Sequence, residues 1–158
     1  MKDESLKVIR RFTKETGYDF LSNFYPCTVR FEGQLYPTVE HAYQAAKSVD
    51  FNVRKIILNA KSPAEAKKLG QGIKIRDDWD LVKVDIMRTL ITEKFQNPFL
   101  SHRLIATNSA QLVLDNKWND KFWGVCRGAG ENWLGKILME VREKIKKELE
   151  DDGHIQPS

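Results

Sequence analysis

Pro37-Thr38-Val39-Glu40-His41-Ala42-Tyr43-Gln44-Ala45-Ala46-Lys47 is the segment that most limits what this chain can build. A Thr hydroxyl can accept a hydrogen bond from a first-turn N–H, so the segment reads as a helix start with Thr38 as N-cap. On a helical wheel Val39, Ala42, Tyr43, Ala46 and Val49 share an apolar face. Glu40, Gln44 and Lys47 fall on an adjacent strip, at spacings of four and three residues. His41 lies on the side opposite the apolar seam. A carboxylate, an amide and an amine therefore share one wall beside the core. Such a strip can line a polar pocket. It can also be a solvated face, with Glu40 complementing the helix dipole and Gln44 and Lys47 in water, and spacing by itself favours that second reading.

The elements around this helix are local in their signals. Lys7 to Phe12 reads as a short strand. Tyr18-Asp19-Phe20-Leu21-Ser22-Asn23-Phe24-Tyr25-Pro26 is too aromatic for an ordinary solvent loop. It suits either a core-anchoring turn, with Ser22 and Asn23 bonding their own backbone, or a ligand contact. Thr28–Phe31 and Gln34–Tyr36 flank Glu32-Gly33 as a β-hairpin. The central helix is expected to fade near Ser48 to Asp50. A second is expected over Asn52 to Asn59, with Val53, Ile56 and Ile57 on one face. Ser62, Pro63 and Glu65 have the spacing of a capping box with proline in the first turn, and that helix stops at Gly70. The longest internal helix is expected over Asp78 to Phe95, with Trp79, Val82, Ile86, Leu90 and Ile91 as its buried stripe; Asn97-Pro98 ends it. A further helix runs over Phe99 to Ala106, and Leu112–Leu114 reads as a strand.

Residues 115–131 read as a long connection rich in Trp and Gly. Loops of that length inside a compact domain are usually functional or disordered, and the aromatics argue against disorder. Asn132 is the expected N-cap of a last helix reaching about Glu150, whose free N–H groups would suit an anion. Its core face is Leu134, Ile137, Leu138, Val141 and Ile145.

A chain of 158 residues with 41% hydrophobic and 30% charged residues is expected to be one domain, 1–150, followed by a flexible tail, 151–158. No run is long and apolar enough for a transmembrane helix, and Met1–Ser5 shows no apolar signal region. Cys27 and Cys126 are then expected to be reduced thiols of a cytoplasmic protein. The net charge of +4 is scattered, which suits a small anionic ligand better than a nucleic-acid track. His41, His102 and His154 have no metal-ligand spacing, so no metal site is expected. No Gly-x-Ser-x-Gly elbow is present. Carboxylates, a lysine, asparagines and indoles around a glycine loop suit hydrolysis at a sugar carbon, where a carboxylate activates water or stabilises an oxocarbenium-like centre.

Taken together, five blocks carry a resemblance: Phe20–Phe24, Tyr36–Lys47, Asp78-Trp79 with Lys83–Met87, Asp120–Gly124, and Gly130–Met139. They resemble, in order and over roughly residues 18–147, the NADAR (YbiA-like) family. The resemblance implies an α+β fold, predominantly helical, with a small N-terminal β-hairpin. It implies cleavage of a bond between a ribose anomeric carbon and nitrogen, without a metal or redox cofactor. The substrate would be a phosphorylated N-riboside of riboflavin biosynthesis, releasing ribose 5-phosphate. The alternative is ADP-ribose carried on guanine in nucleic acid, and a third reading is a module that binds NAD or ADP-ribose without turnover. By the same resemblance Glu40, Lys47 and Asp120 match catalytic positions. Glu40 would do acid/base work or stabilise the oxocarbenium, and Lys47 would hold the sugar phosphate or attack the opened sugar. Asn23, Phe24, Gln44, Trp79, Trp123, Gly124 and Asn132 match substrate-binding positions. Asp115–Trp118 and Val125–Arg127 depart from the family pattern, which bears on substrate choice more than on reaction type.

Overall fold

The computed structural model describes residues 6–157. The chain divides into two compact units: one from Ser22 to Lys94, the other from the chain up to Leu21 together with the chain from Phe95 onward. The fold is α+β and predominantly helical, as the sequence implies.

The first strand of the chain, β1 (Val8–Ile9), belongs to the discontinuous unit. The contiguous unit begins with a hairpin and continues with four helices. The hairpin is β2 (Val29–Phe31) and β3 (Gln34–Tyr36), antiparallel, with Val29 opposite Tyr36. Glu32 and Gly33 both take positive φ, +46° and +82°, which matches the two-residue turn that suits the twist of the strands. Then come α1 (Val39–Ala46), α2 (Phe51–Leu58), α3 (Pro63–Gly70) and α4 (Trp79–Lys94). Helix α1 packs against α2, α3 and α4.

The cap of α1 is as expected: Thr38 Oγ1 accepts from the His41 N–H at 3.1 Å. The rest of the helix departs from the wheel. All eight residues of α1 are buried, so the helix has no solvated face. His41, placed by the wheel away from the core, is 2% exposed. Its ring lies 2.7 Å from Thr38 Oγ1 through Nδ1 and 3.0 Å from the Ala60 carbonyl through Nε2. The helix also stops sooner than expected. The Ser48 hydroxyl accepts from the Asp50 N–H, and Asp50 then caps α2 by accepting from the Asn52 N–H. These two local bonds compete with continuation of α1, and they leave Val49 66% exposed instead of on the apolar face.

Helix α2 buries Ile57 but leaves Ile56 exposed. Arg54 takes the inward place. Its guanidinium sits over the Phe31 and Phe51 rings, bonds Glu32 at 2.8 Å, and reaches the Ser48 carbonyl through Nε at 2.7 Å. Helix α3 starts on its capping box: Ser62 Oγ accepts from Glu65 N–H, while the Glu65 carboxylate accepts from the Lys61 N–H, one residue before the cap. In α4 the deeply buried stripe is Trp79, Met87, Leu90, Ile91 and Lys94, with Val82 and Ile86 only half-buried. Lys94 is fully buried; its ammonium donates to the Ser22 carbonyl at 2.8 Å and lies over the Tyr25 ring. That contact fastens the turn carrying Asn23 to the end of α4.

In the other unit, β1 pairs in parallel with β4 (Gln111–Leu112), which begins one residue earlier than the expected Leu112–Leu114 run. A 3-10 turn over Asp19–Leu21 buries Phe20 and Leu21. Helix α5 (Pro98–Ile105) is capped by Asn97, whose Oδ1 accepts from Phe99 and Leu100 N–H. The long connection is not without secondary structure: β5 (Asp115–Asn116) and β6 (Val125–Cys126) form a parallel pair within it. Helix α6 (Trp133–Asp151) buries Leu134, Ile137, Leu138 and Val141, while Ile145 is half-buried. The chain after it closes on the helix, with Gly153 at φ +72° and the His154 and Ile155 N–H groups on the Leu149 carbonyl. Among the described residues no helix is long and apolar enough to cross a membrane. Both cysteines are free thiols.

Thr38 serves two bonds at the head of α1, so Thr38→Ala is expected to cost about 1–2 kcal/mol of stability, measured by urea unfolding.

Candidate active site

Helix α1 carries the polar strip into the interior of its unit. Glu40 is 7% exposed and Gln44 3%. The Gln44 Nε2–H donates to Glu40 Oε1 at 2.8 Å. The Glu40 backbone N–H is held by the Asn23 carbonyl at 3.1 Å, which ties the Ser22–Tyr25 turn to the first turn of α1. The four-residue spacing read from sequence is thus a made hydrogen bond, and the solvated alternative does not hold for these two side chains.

Lys47, the C-cap of α1, sits with its ammonium 5.3 Å from the centre of the Tyr43 ring. Burial pushes its pKa below the ordinary 10.5; the Glu40 carboxylate works in the opposite direction and the neighbouring charge of Lys67 adds to the lowering. Tyr43 in turn packs against Trp79 at 5.3 Å between ring centres. Trp79 is 8% exposed, so it acts as a buried wall beside Tyr43. The Lys47 carbonyl accepts from Arg76 N–H at 2.7 Å, which brings the chain entering α4 back to the end of α1. Asn23 lies near Met87 of α4, its Nδ2 3.7 Å from the thioether sulfur, and its Oδ1 is buried without a hydrogen-bond partner. Phe24 is 40% exposed. Asn23, Glu40, Gln44, Lys47 and Trp79 therefore belong to one unit and are linked by contacts within it.

The remaining predicted residues, Asp120, Trp123, Gly124 and Asn132, are linked in the other unit. One oxygen of Asp120 accepts from both Phe122 N–H (3.1 Å) and Trp123 N–H (2.9 Å), while Asp120's own N–H and carbonyl are held by the Asn116 side chain. A Cβ on Gly124 would overlap the Leu114 carbonyl and stand 2.8 Å from the Asn116 amide nitrogen, so glycine is required there for close packing. Trp123 meets Phe122 edge-on at 4.8 Å. Asn132 is not the side-chain cap expected of it. It takes φ +55°, and its amide bridges the Leu112 carbonyl and the Leu114 N–H. The N–H groups of Asn132, Trp133 and Leu134 go to the carbonyls of Gly124, Phe122 and Trp123. The start of α6 is thus occupied by the chain's own backbone, and those N–H groups are not offered to an anion.

Sequence reasoning did not single out Tyr43 as a partner of Lys47, nor Lys67 or Gly70 of α3. A glycine inside the last turn of a helix, rather than just past it, was the available signal for Gly70. Among the described residues no group of His, Cys, Asp and Glu could hold a metal ion.

The NADAR domain profile matches residues 11–146. The chain belongs to the NADAR domain family. It is 38% identical over 142 residues to a Nostoc punctiforme protein named as an N-glycosidase, covering 86% of this chain and 91% of that one. It is 35% identical over 142 residues to the N-glycosidase YbiA of Escherichia coli, covering 87% and 88%. A Vibrio vulnificus protein named as a riboflavin biosynthesis protein is 38% identical over 139 residues; the match takes in 85% of this NADAR chain but only 38% of that relative's length. The NMR structure of E. coli YbiA superposes with a TM-score of 0.80 at 34% identity, covering 90% of this chain and 86% of that one.

The lowered pKa of Lys47 gives a pH test with a defined sign. Between that lowered value and 10.5 the unfolded chain binds more protons at this residue than the folded one, so stability rises with pH. Thermal melts of wild type and Lys47→Met across that window should show wild type gaining relative to the variant as pH increases.

Proposed function

We propose that this NADAR domain is an N-glycosidase that hydrolyses the ribose C1–N bond of a phosphorylated N-riboside, the aminopyrimidine intermediate of riboflavin biosynthesis, and releases ribose 5-phosphate. The observation that carries the reading is the buried Glu40 carboxylate, held by Gln44 at 2.8 Å on the strip that also bears Lys47. Relatives of about the same length are named N-glycosidases.

Glu40 acts at the anomeric carbon. A buried carboxylate fixed by an amide donor opposes the positive charge that develops as the C1–N bond breaks, and can take the proton of an incoming water. Lys47 supplies the amine. Burial raises the fraction of its uncharged form, which a nucleophilic amine needs. In that form it attacks C1 of the ring-opened sugar; the C1–N bond to the base breaks, the base nitrogen takes a proton, and water hydrolyses the resulting imine. Tyr43 walls the amine and is itself backed by Trp79. Asn23 and Phe24, on the Ser22–Tyr25 turn, with Gln44 and Trp79, contact the phosphate or the base in this reading. Asp120 shapes the Phe122–Trp123 backbone through one carboxylate oxygen, which accepts from those two N–H groups.

A side-by-side hydrolysis assay tests the substrate. The phosphoribosylamino-pyrimidine and an oligonucleotide carrying ADP-ribosylated guanine are offered separately and followed by mass spectrometry. Ribose 5-phosphate from the first is the expected result. Loss of ADP-ribose from the second alone would replace the substrate class, and binding of ADP-ribose with neither reaction would make the domain a sensor. Glu40→Gln should lower kcat by roughly 100-fold or more while ligand affinity persists; normal turnover would remove Glu40 from the mechanism. Borohydride added during turnover should trap ribose phosphate on Lys47, seen as a mass increase on its peptide. Absence of the adduct, with activity lost in Lys47→Ala, would leave Lys47 as a binding cation.

A further inference from the structure

Gly70 closes α3 and is buried. Its φ lies outside the left-handed region, so glycine is not there for a turn. What it provides is space. A Cβ built on Gly70 would overlap Gln44 Oε1, stand 2.8 Å from Gln44 Cδ and come within 3.1 Å of Gln44 Cβ. The same Oε1 is buried without a hydrogen-bond partner. The Gln44 amide therefore lies against the bare Cα of Gly70, and that placement turns its other end, Nε2, toward Glu40 Oε1.

An amide so placed forgoes a partner for its oxygen, which costs free energy in a buried site. The gain is a fixed orientation. With Oε1 against a carbon, only the NH2 end faces the carboxylate, and Glu40 receives a donor.

We propose that Gly70 is a positioning residue for the reaction: the missing side chain on α3 sets the Gln44 amide, and Gln44 sets the Glu40 carboxylate. The proposal rests on the assignment of Glu40 to the chemistry. The atoms an added methyl would displace are mostly the far end of a flexible side chain, so Gly70→Ala should fold. Alanine is also the better helix former at a position inside a helix. The cost falls on the Gln44–Glu40 bond.

The test is a double-mutant cycle over Gly70→Ala and Gln44→Ala, with kcat and KM measured on whichever of the two substrates wild type turns over, and with thermal melts beside them. Gly70→Ala alone should lower kcat about tenfold, the scale of one hydrogen bond to a charged group, with KM changed less than about twofold and a cooperative melt retained. In the Gln44→Ala background the same substitution should have no further effect on kcat, because the amide it displaces is gone. An equal loss in both backgrounds would overturn the proposal, as would a Gly70→Ala protein that fails to fold and is not restored by Gln44→Ala. A readout without substrate separates this from the Glu40 assignment. The Gln44 side-chain NH2 signal in a nitrogen-15 NMR spectrum should move in Gly70→Ala, and an unmoved signal would sink the proposal. Normal turnover by Glu40→Gln together with a displaced Gln44 signal would leave the contact standing and overturn its catalytic consequence.

Discussion

Burying a helix on every side leaves its polar side chains no water to turn to. Helix α1 is in that position, and the arrangement of its unit depends on how each polar group is answered. His41 is met by Thr38 and the Ala60 carbonyl. Glu40 Oε1 is answered by the Gln44 NH2 group and the Glu40 N–H by Asn23, while the Gln44 oxygen is left against Gly70 without a partner. Lys47, at the end of the helix, keeps part of its surface in solvent and rests on Tyr43. Unpaired burial of such groups would cost several kcal/mol each. The neighbouring elements are therefore constrained twice, by packing and by the need to supply specific carbonyls and carboxylates.

The second unit solves a different problem with similar residues. There the difficulty is a long connection with little regular structure. Its backbone is fixed by side-chain amides and a carboxylate rather than by a helix: Asn116 spans Asp120 and Val125, Asp120 spans Phe122 and Trp123, and Asn132 spans Leu112 and Leu114. Each of these three side chains holds backbone at two separate points. Trp123 and Trp118 are then presented from a loop with a defined shape, Trp118 with more than half its surface exposed.

Local signals were legible in the sequence. The Thr38 cap, the Glu32-Gly33 turn and the Ser62 capping box each depend on residues within a few positions, and each is formed. The strip of Glu40, Gln44 and Lys47 was legible as a strip. Its burial was not, because burial is decided by α2, α3 and α4 arriving from elsewhere in the chain. The same limit explains Arg54 and Lys94. Nothing beside them in the sequence signals burial, yet the Arg54 guanidinium sits over two Phe rings and Lys94 is sealed against the Ser22 carbonyl. Val49 and Asn132 mislead for a nearer reason. Competing Ser48, Asp50 and Asn132 side-chain bonds redirect the backbone where helix periodicity alone would continue or begin.

The division of the chain also has a bearing on the order of its manufacture. Residues Ser22 to Lys94 form a contiguous unit, whereas the other unit is built from the segment before it and everything after Phe95. The strand Val8–Ile9 leaves the ribosome ahead of the contiguous unit, but its pairing partner Gln111–Leu112 emerges only after that whole unit has been made. During synthesis the strand's edge stands open, while the hairpin and four helices made in between already have the partners of their own unit. A parallel pairing across so long a stretch is a slow, late event. The segment translated before the contiguous unit thus finds its place after it, and ribosome-bound chains ending before residue 111 would carry it unpaired.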